Sequence, residues 1–419
     1  MPKELRTQVL VVGAGASGIP AAIGAARAGA KVLLIEEDPV IGGMVSDCYV
    51  DAFCGGPQTG VVREAEKILK AKYALGKSGH FFLPGSFQKV YGDLLRKANV
   101  RVLAGVRAVD VLTSERSARA RVVGITADGG PSRTLTIKSD ITIDATGTGV
   151  VSILAGCRAM YGRDARKDFN EPHAATARDR RVQHCTWMYI SQKIGEGKSF
   201  DMMKLDHVRL GVHVEGLGWF HNDPDKAMRL NPGIYLHWGC AVECEDTRDP
   251  MAVGRAQTEA FAAMERDYAR LREAGYAVYL APRIGVRESN RIVGEHVITE
   301  MDLRSGKLPE DTIALGTYGL DIWGEDEGVP VEELRTPAYG LPYRAIVPKG
   351  VDGLLLAGKI LSGSHVAMSA YRVMPILGSA GQAAGVAAAL CVRQKCQPRK
   401  LDPAEVIRLL KTKVQGVLE

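Results

Sequence analysis

Four arginines and one histidine in the second half of the chain have the types and spacing needed to handle a small anion. Arg283, Arg287 and Arg291 recur every four residues in the block PRIGVRESNRIVGE, with Glu288 among them, and His365 and Arg372 follow nearer the C-terminus. A guanidinium stays charged at any ordinary pH and presents a planar fork of donors, so two of them can grip a carboxylate by bidentate hydrogen bonds. On a helix the three arginines would share a face, and on a strand their even spacing would put them on one side; an ion-paired surface stripe is the alternative reading. His365 has the side chain that exchanges protons near neutral pH, and it sits between an apolar strand and a helix, where it can serve as acid or base or be structural. Arg283, Arg287, Arg372 and His365 are the candidate catalytic residues. His221, His237 and Tyr235 are weaker candidates, lying in a stretch without a motif.

A second constellation suits phosphate. Gly13-Ala14-Gly15-Ala16-Ser17-Gly18 follows the apolar run QVLVVG and opens a Gly/Ala-rich segment, and Glu36 closes the next apolar run, 18 residues beyond Gly18. The first glycine permits a tight turn, the second lets backbone approach a pyrophosphate, and the third lets helix pack on strand. Free N–H groups at the helix start favour the anion, and the acid is placed to accept hydrogen bonds from a ribose diol. These residues alone leave FAD and NAD both open.

Such side chains need a scaffold, and its elements are readable. Residues 8–13 and 31–35 are continuous apolar runs, the mark of parallel strands buried on both faces, so the first 36 residues form a βαβ unit. Helical periodicity appears around Val62–Ala74 and Phe87–Ala98. From Val100 to Asp144 the texture turns to short β-rich runs broken by Asp128-Gly129-Gly130-Pro131, which predicts an antiparallel meander whose last strand, ITIDATG, re-enters the parallel sheet. Residues from about 158 to 340 carry most of the Trp and His and a helical pattern from Met251 to Ala274; Val351–Gly358 predicts one more buried strand and Gly378–Cys391 a close-packed helix. The fold class is therefore α/β, a Rossmann-type nucleotide-binding domain with an inserted β-meander and a second, mixed α+β substrate domain. The expected boundaries are 1–157 for the first part of the nucleotide domain, 158–340 for the substrate domain and 341–419 for the returning C-terminal part.

Composition narrows the function classes. Hydrophobic residues at 46% and charged residues at 24% are ordinary for a globular protein. The polar lead MPKELRT runs straight into a strand with no room for a signal peptide, so a cytoplasmic location is expected. The apolar stretch from Gly378 to Val392 is shorter than a bilayer needs and reads as a buried helix, so no membrane is expected. A net charge of +6 is spread out, without a basic run interleaved with aromatics, so nucleic-acid binding is not expected. Eight cysteines, at 48, 54, 157, 185, 240, 244, 391 and 396, form no C-x-x-C pair; free buried thiols and no metal are the expectation. A homo-oligomer is allowed, and no redox partner is specified.

The segments GAGASGIPAAIGAARAGAKVLLIEEDPVIGGM, IDATGTG, PRIGVRESNRIVGE and LPYRAIVPKGVDGLLLAGKILSGSHVAMSAYRVMPILGSAGQAAGVAAAL resemble the FAD-dependent oxidoreductase family of the glutathione-reductase structural class. More distantly they are similar to fumarate-reductase-type flavoproteins and thiazole-synthase proteins. The resemblance implies FAD, and the lack of an attachment motif predicts that it is held non-covalently. Gly13, Gly15, Ala16, Ser17 and Gly18 would hold the pyrophosphate, Glu36 with Glu37 the adenosine ribose, and Gly42, Gly43 and Met44 would run beside the ribityl and pyrophosphate. Ala145, Thr146 and Gly147 would make a second backbone approach, Gly358 would end the last strand, and the helix begun by Met374 and Pro375 would point at the flavin pyrimidine. The family commonly has an acid after the glycine of the second approach; Thr148 stands there instead. Cys48, Cys54 and His80 follow the first cofactor loops, yet no covalent attachment motif surrounds them.

Together these readings predict a flavoenzyme that moves a hydride between a small polar substrate and flavin N5, an anionic substrate being allowed by the arginines. A single dinucleotide fingerprint argues against a separate NAD(P)H domain and against the redox Cys pair of disulfide reductases. Two alternatives stay open: a thiazole-synthase-like transferase that binds a dinucleotide, and a flavin electron-transfer subunit docked on an iron–sulfur partner.

Overall fold

The N-terminal apolar run folds as β1 (Lys3–Val12) and the second as β2 (Val32–Glu36), joined by the helix Gly18–Arg27. The computed structural model describes residues 3–51, 53, 55–57, 59–73, 82–114, 119–131, 133–199, 205–206, 213–214, 218–219, 234–324 and 331–418. All five residues of β2 are buried, as the unbroken apolar run requires of a strand covered on both faces.

Helices Gly60–Lys72 and Pro84–Lys97 follow, close to the two predicted ones. Then β3 (Arg101–Ala104) adds to the parallel sheet beside β2, before β4 (Arg107–Ser114), β5 (Arg121–Asp128) and β6 (Thr134–Asp144) form the antiparallel meander. The first part of the expected meander is thus a parallel edge strand. The path through the large sheet is β3-β2-β1-β6-β5-β4, with β6 parallel to β1 as expected. Near the C-terminus β16 (Leu354–Leu356), the last strand, pairs in parallel with the end of β6.

Between these lie β7 (Ala159–Met160), which pairs with β13 (Arg291–Ile292), and a second sheet built from β8 (Cys185–Lys193), β9 (His213–Val214), β10 (Gly218–Trp219), β11 (Ile234–Val242) and β12 (Tyr276–Leu280). The helix Pro250–Glu273, capped by the Asp249 carboxylate, covers one face of it. A separate core forms there from Cys185, Trp187, Tyr189, Tyr235, Met264 and their neighbours. Past residue 290 the chain leaves that core: Ile292, Ile298, Leu303, Ile313 and Leu341 pack with the large sheet, as do β14 (Thr312–Gly316) and β15 (Tyr339–Pro342). These apolar residues, all between 292 and 341, fill the large core rather than the second one.

The helix Met374–Gln394 is long and apolar enough to cross a membrane, and 94% of its most apolar window is buried inside the fold. It lies against Gly18–Arg27 backbone to backbone: a Cβ on Gly385 would fall 1.9 Å from the Ala21 carbonyl oxygen. The glycines and alanines of both helices are there because nothing larger fits.

Candidate functional site

At the end of β1 the chain turns through Gly13, whose φ of +105° is open to glycine. A Cβ on Gly13 would lie 2.4 Å from the Ala145 oxygen, and one on Gly18 only 1.9 Å from the Gly13 oxygen, whereas one on Gly15 would meet nothing within 4 Å. The first and third glycines therefore fix turn, strand and helix against each other, and the middle one faces open space. Gly15 bridges to Gly42, and the Gly42 N–H donates to the Ala14 oxygen at 2.8 Å, so the second glycine loop lies along the first. This backbone cradle fits the diphosphate of FAD, since exposed N–H groups at a helix start are suited to an anion.

Ser17, 6% exposed, turns the other way and donates to the Leu377 oxygen at 2.7 Å. Glu36 accepts from Ala14 N–H at 2.5 Å and from Asp38 N–H at 3.2 Å. Burial raises its pKa above the usual range, and these two bonds pull against that. A carboxylate has about four lone-pair positions, so capacity for a ribose hydroxyl remains. Glu37 is exposed and Met44 half-buried.

Asp144, fully buried at the end of β6, sets the second loop. One oxygen accepts from the N–H and hydroxyl of Thr146 at 3.1 and 2.7 Å, and the other from the N–H and hydroxyl of Ser152 at 2.8 and 2.6 Å. Thr146 Oγ1 in turn accepts from Gly149 N–H at 3.0 Å. The exposed Thr148, where the family has an acid, contributes its carbonyl to Asn290 at 2.9 Å. Gly358 follows β16 with φ of +88°, and the next residue, Lys359, runs toward Gly147: its Cε would lie 3.5 Å from a Cβ there. The Lys359 ammonium donates to the Val286 oxygen, and burial pulls its pKa down to about 8.

The three regularly spaced arginines do not share a face. Their segment is largely irregular, and each side chain goes its own way. Arg283 is half-exposed and reaches Asp38 at 2.6 Å, beside Asp47, whose pKa is pushed up to about 7 by burial and by the Asp38 charge. This is the end of the sheet where Glu36 stands. Arg287, 8% exposed, lies over the Trp323 ring at 3.7 Å and donates to the His184 oxygen at 2.8 Å. Burial, followed by the Arg372 charge, lowers its pKa to about 9. Arg291 is fully buried; it bonds Asp164 at 3.0 Å and pairs with Glu288.

Arg372 ends the short helix His365–Tyr371, where Nε donates to Gln183 at 3.1 Å and one amino group to the Asp321 carboxylate and carbonyl, both at 2.9 Å. Arg287 and Arg372 thus come together, one over the Trp323 ring and the other bonded to Asp321. Two residues on, Met374 and Pro375 begin the long C-terminal helix, with the Gly55-Gly56 loop over its start: a Cβ on Gly56 would lie 2.7 Å from Ile376. Pro375 occupies the first turn, where its missing N–H leaves no bond unmade.

His365, 2% exposed, is tied to Glu288 at 2.8 Å through Nδ1, and its backbone N–H donates to Asp164 at 2.8 Å. Burial alone would raise the Glu288 pKa, but His365 and Arg291 hold it below the usual value. His365 is therefore part of a buried charge network. His237 is buried too, stacked on Tyr189 and 2.7 Å from Ser191, and burial drops its pKa to about 3. Tyr235 packs against Tyr276 in the second core, their rings tilted by 58°. Cys48 is buried, with its pKa raised to about 12 mainly by burial. Cys54, His80 and His221 lie outside the described residues.

Several residues at this site carry no sequence motif. Gln183, Asp321 and Trp323 lie in stretches without periodicity and are joined to the arginines only by the fold. Asp144 and Lys359 did have a signal, an acid and a base at the ends of buried strands beside Gly loops.

The sequence matches the family described as FAD dependent oxidoreductase over residues 8–410. No curated protein matches it. Among solved structures it is similar to a geranylgeranyl bacteriochlorophyll reductase-like protein from Thermoplasma acidophilum, with 14% identity, 98% of this chain and 85% of that chain covered, and a TM-score of 0.44. L-proline dehydrogenase from P. horikoshii shares 11% identity over 97% of this chain and 99% of that chain, TM-score 0.41. THI4 of Thermovibrio ammonificans shares 24% identity over 38% of this chain and 67% of that chain, TM-score 0.32. At such identities the likeness concerns the fold alone.

Proposed function

The chain belongs to the FAD-dependent oxidoreductase family, and from that membership we propose that it moves a hydride between a small anionic substrate and flavin N5, with Arg287 and Arg372 holding the anion. Bound FAD supplies the two-electron chemistry, while the protein supplies position and charge. One observation carries the anion reading. Among the described residues, the only carboxylate hydrogen-bonded to either guanidinium is that of Asp321, so the buried Arg287 and the partly buried Arg372 have one anion between them. An incompletely compensated buried charge is unfavourable by several kcal/mol. A substrate carboxylate relieves it.

The surrounding residues define how. The Trp323 ring fixes the plane of the Arg287 fork, and Gln183 and Asp321 fix that of Arg372. Arg283 serves the cofactor end, steadying the acidic loop around Asp38 and Asp47. His365 acts on this reading as a positioning residue: with Glu288 and Arg291 it holds the segment that carries Arg287.

The test is a titration of the FAD-loaded protein with sulfate and with small mono- and dicarboxylates, read by perturbation of the flavin absorption spectrum. A carboxylate is expected to saturate the site, and Arg287→Met to weaken it about 10- to 150-fold, the worth of one charge-assisted hydrogen bond. Equal binding of the uncharged amide analogue, or unchanged affinity in Arg287→Met, would sink the anion reading.

A further inference from the structure

Lys359 is a cation drawn into the fold without a carboxylate bonded to it. It follows Gly358 just past β16, and its backbone starts beside the diphosphate cradle: a Cβ on Gly358 would lie 3.6 Å from the Ser17 Cβ. From there the side chain leads away from the cradle, past Gly147, and ends with its ammonium on the carbonyl of Val286, the residue before Arg287. Among the described residues that carbonyl is the one acceptor bonded to it. Glu288, the carboxylate whose charge it feels, is taken up by Arg291 and His365.

The two ends of this side chain belong to two facing walls. One is the second glycine loop, Ala145 to Gly147, in the nucleotide domain. The other is the stretch that carries Arg287, and it closes over the short helix Met44–Cys48: a Cβ on Gly285 would lie 3.6 Å from the Cys48 Cβ and 3.7 Å from the Met44 Cε. Met44, Gly147, Val286 and Lys359 each keep part of their surface open, as residues do when they line a hollow. Burial lowers the Lys359 pKa to about 8, with the Cys48 and Cys185 thiols opposing and the Arg372 charge adding to it, so the ammonium is charged at neutral pH.

We propose that the Lys359 ammonium faces the reacting ring of the flavin and stabilises the negative charge that reduction places there. This placing rests on the anion reading above, since a substrate held by Arg287 passes its hydride to a ring that lies beside the Val286–Arg287 stretch. In that step the substrate C–H bond breaks and an N5–H bond forms. Two electrons and one proton enter the ring, which gains one negative charge, and the hydroxyl or amino proton of the substrate leaves to solvent. A fixed cation at that place interacts more strongly with the reduced ring than with the oxidised one, and only such a difference moves the midpoint potential. A cation beside the diphosphate would meet the same charge in both states and leave the potential unmoved.

The test is the midpoint potential of the substrate-free, FAD-loaded protein at neutral pH, set by anaerobic equilibration with a reference dye. It is measured in the unaltered chain, in Lys359→Met and in Lys359→Gln, which keeps a donor for the Val286 carbonyl. Both variants should show at least a tenfold loss of preference for the reduced cofactor, about 30 mV for two electrons. Where a variant holds FAD weakly, anaerobic titrations with oxidised and with reduced FAD give the same ratio: affinity for the reduced form should fall at least tenfold further. The cofactor-free variants should unfold no earlier than the wild type, because the charge removed has no carboxylate partner. The proposal is overturned if both forms of FAD lose affinity equally at an unchanged potential, which would put Lys359 at the diphosphate. It is also overturned if Lys359→Gln keeps the wild-type potential, or if cofactor-free Lys359→Gln loses its fold, which would make the lysine a structural strut. Failure of the anion reading would show separately, as unchanged carboxylate binding in Arg287→Met.

Discussion

Replacing Gly15 and Gly18 in turn by alanine separates the cofactor cradle from the fold. A Cβ at Gly18 would fall 1.9 Å from the Gly13 carbonyl oxygen, a backbone atom that can yield only if β1 and the helix Gly18–Arg27 part. Overpacking of this kind destabilises by about 1–3 kcal/mol or more. At Gly15 a Cβ would meet nothing within 4 Å, and the residue is not among those with positive φ, so Gly15→Ala should leave the cofactor-free fold within about 1 kcal/mol of the wild type. The methyl would instead stand where the diphosphate must approach. Weakening one charge-assisted N–H to phosphate bond is worth about 1.5–3 kcal/mol, a 10- to 150-fold rise in the FAD dissociation constant. Thermal unfolding of the cofactor-free proteins and FAD titration by flavin fluorescence measure the two effects. The reasoning fails if Gly15→Ala binds FAD as tightly as the wild type, or if it unfolds as early as Gly18→Ala.

Lys359, whose side chain borders the Gly147 loop, should make FAD affinity depend on pH: with a pKa of about 8 in the cofactor-free protein, its charge is lost as pH rises past 8, and an anionic cofactor bound at that loop loses a favourable charge with it. Lys359→Met should bind FAD more weakly below pH 8 and show a flatter profile above it, again by fluorescence titration. Glu288 has a folded pKa below its unfolded value, so its stabilisation is present above the ordinary Glu range and is lost as pH falls through the folded value. Glu288→Gln leaves Arg291 buried with one anion fewer and should cost about 3–5 kcal/mol at neutral pH; denaturant unfolding should show the gap to wild type narrowing in acid. Arg372→Met should raise KM or lower turnover with little change in the flavin midpoint potential if Arg372 binds substrate; a lower potential without substrate would assign it to the flavin instead.

The nucleotide half of the fold was legible because its signals are local. Gly13, Gly15 and Gly18 are demanded by one turn, and the buried strands by unbroken apolar runs. The long C-terminal helix was legible from its small residues, which the approach of Gly385 to Ala21 explains. Arg283, Arg287 and Arg291 misled as a group, since four-residue spacing implies a common face only in a regular element and their segment is mostly irregular. Gln183, Asp321 and Trp323 had no local signal, because contact between distant irregular segments leaves no periodicity. Asp144 was the nearest miss: it stands inside the ITIDATG strand, yet only the fold shows its carboxylate tying down Thr146 and Ser152.

The most direct test of hydride transfer from an anion held by Arg287 and Arg372 is anaerobic mixing of the FAD-loaded protein with a panel of small hydroxy and amino acids beside their amides and esters, followed by flavin absorbance. The account predicts that at least one acid bleaches the flavin and its uncharged derivative does not, and that Arg287→Met raises the half-saturating concentration by about 10-fold or more. Bleaching by the uncharged derivatives as readily as by the acids, with Arg287→Met indistinguishable from wild type, would contradict it.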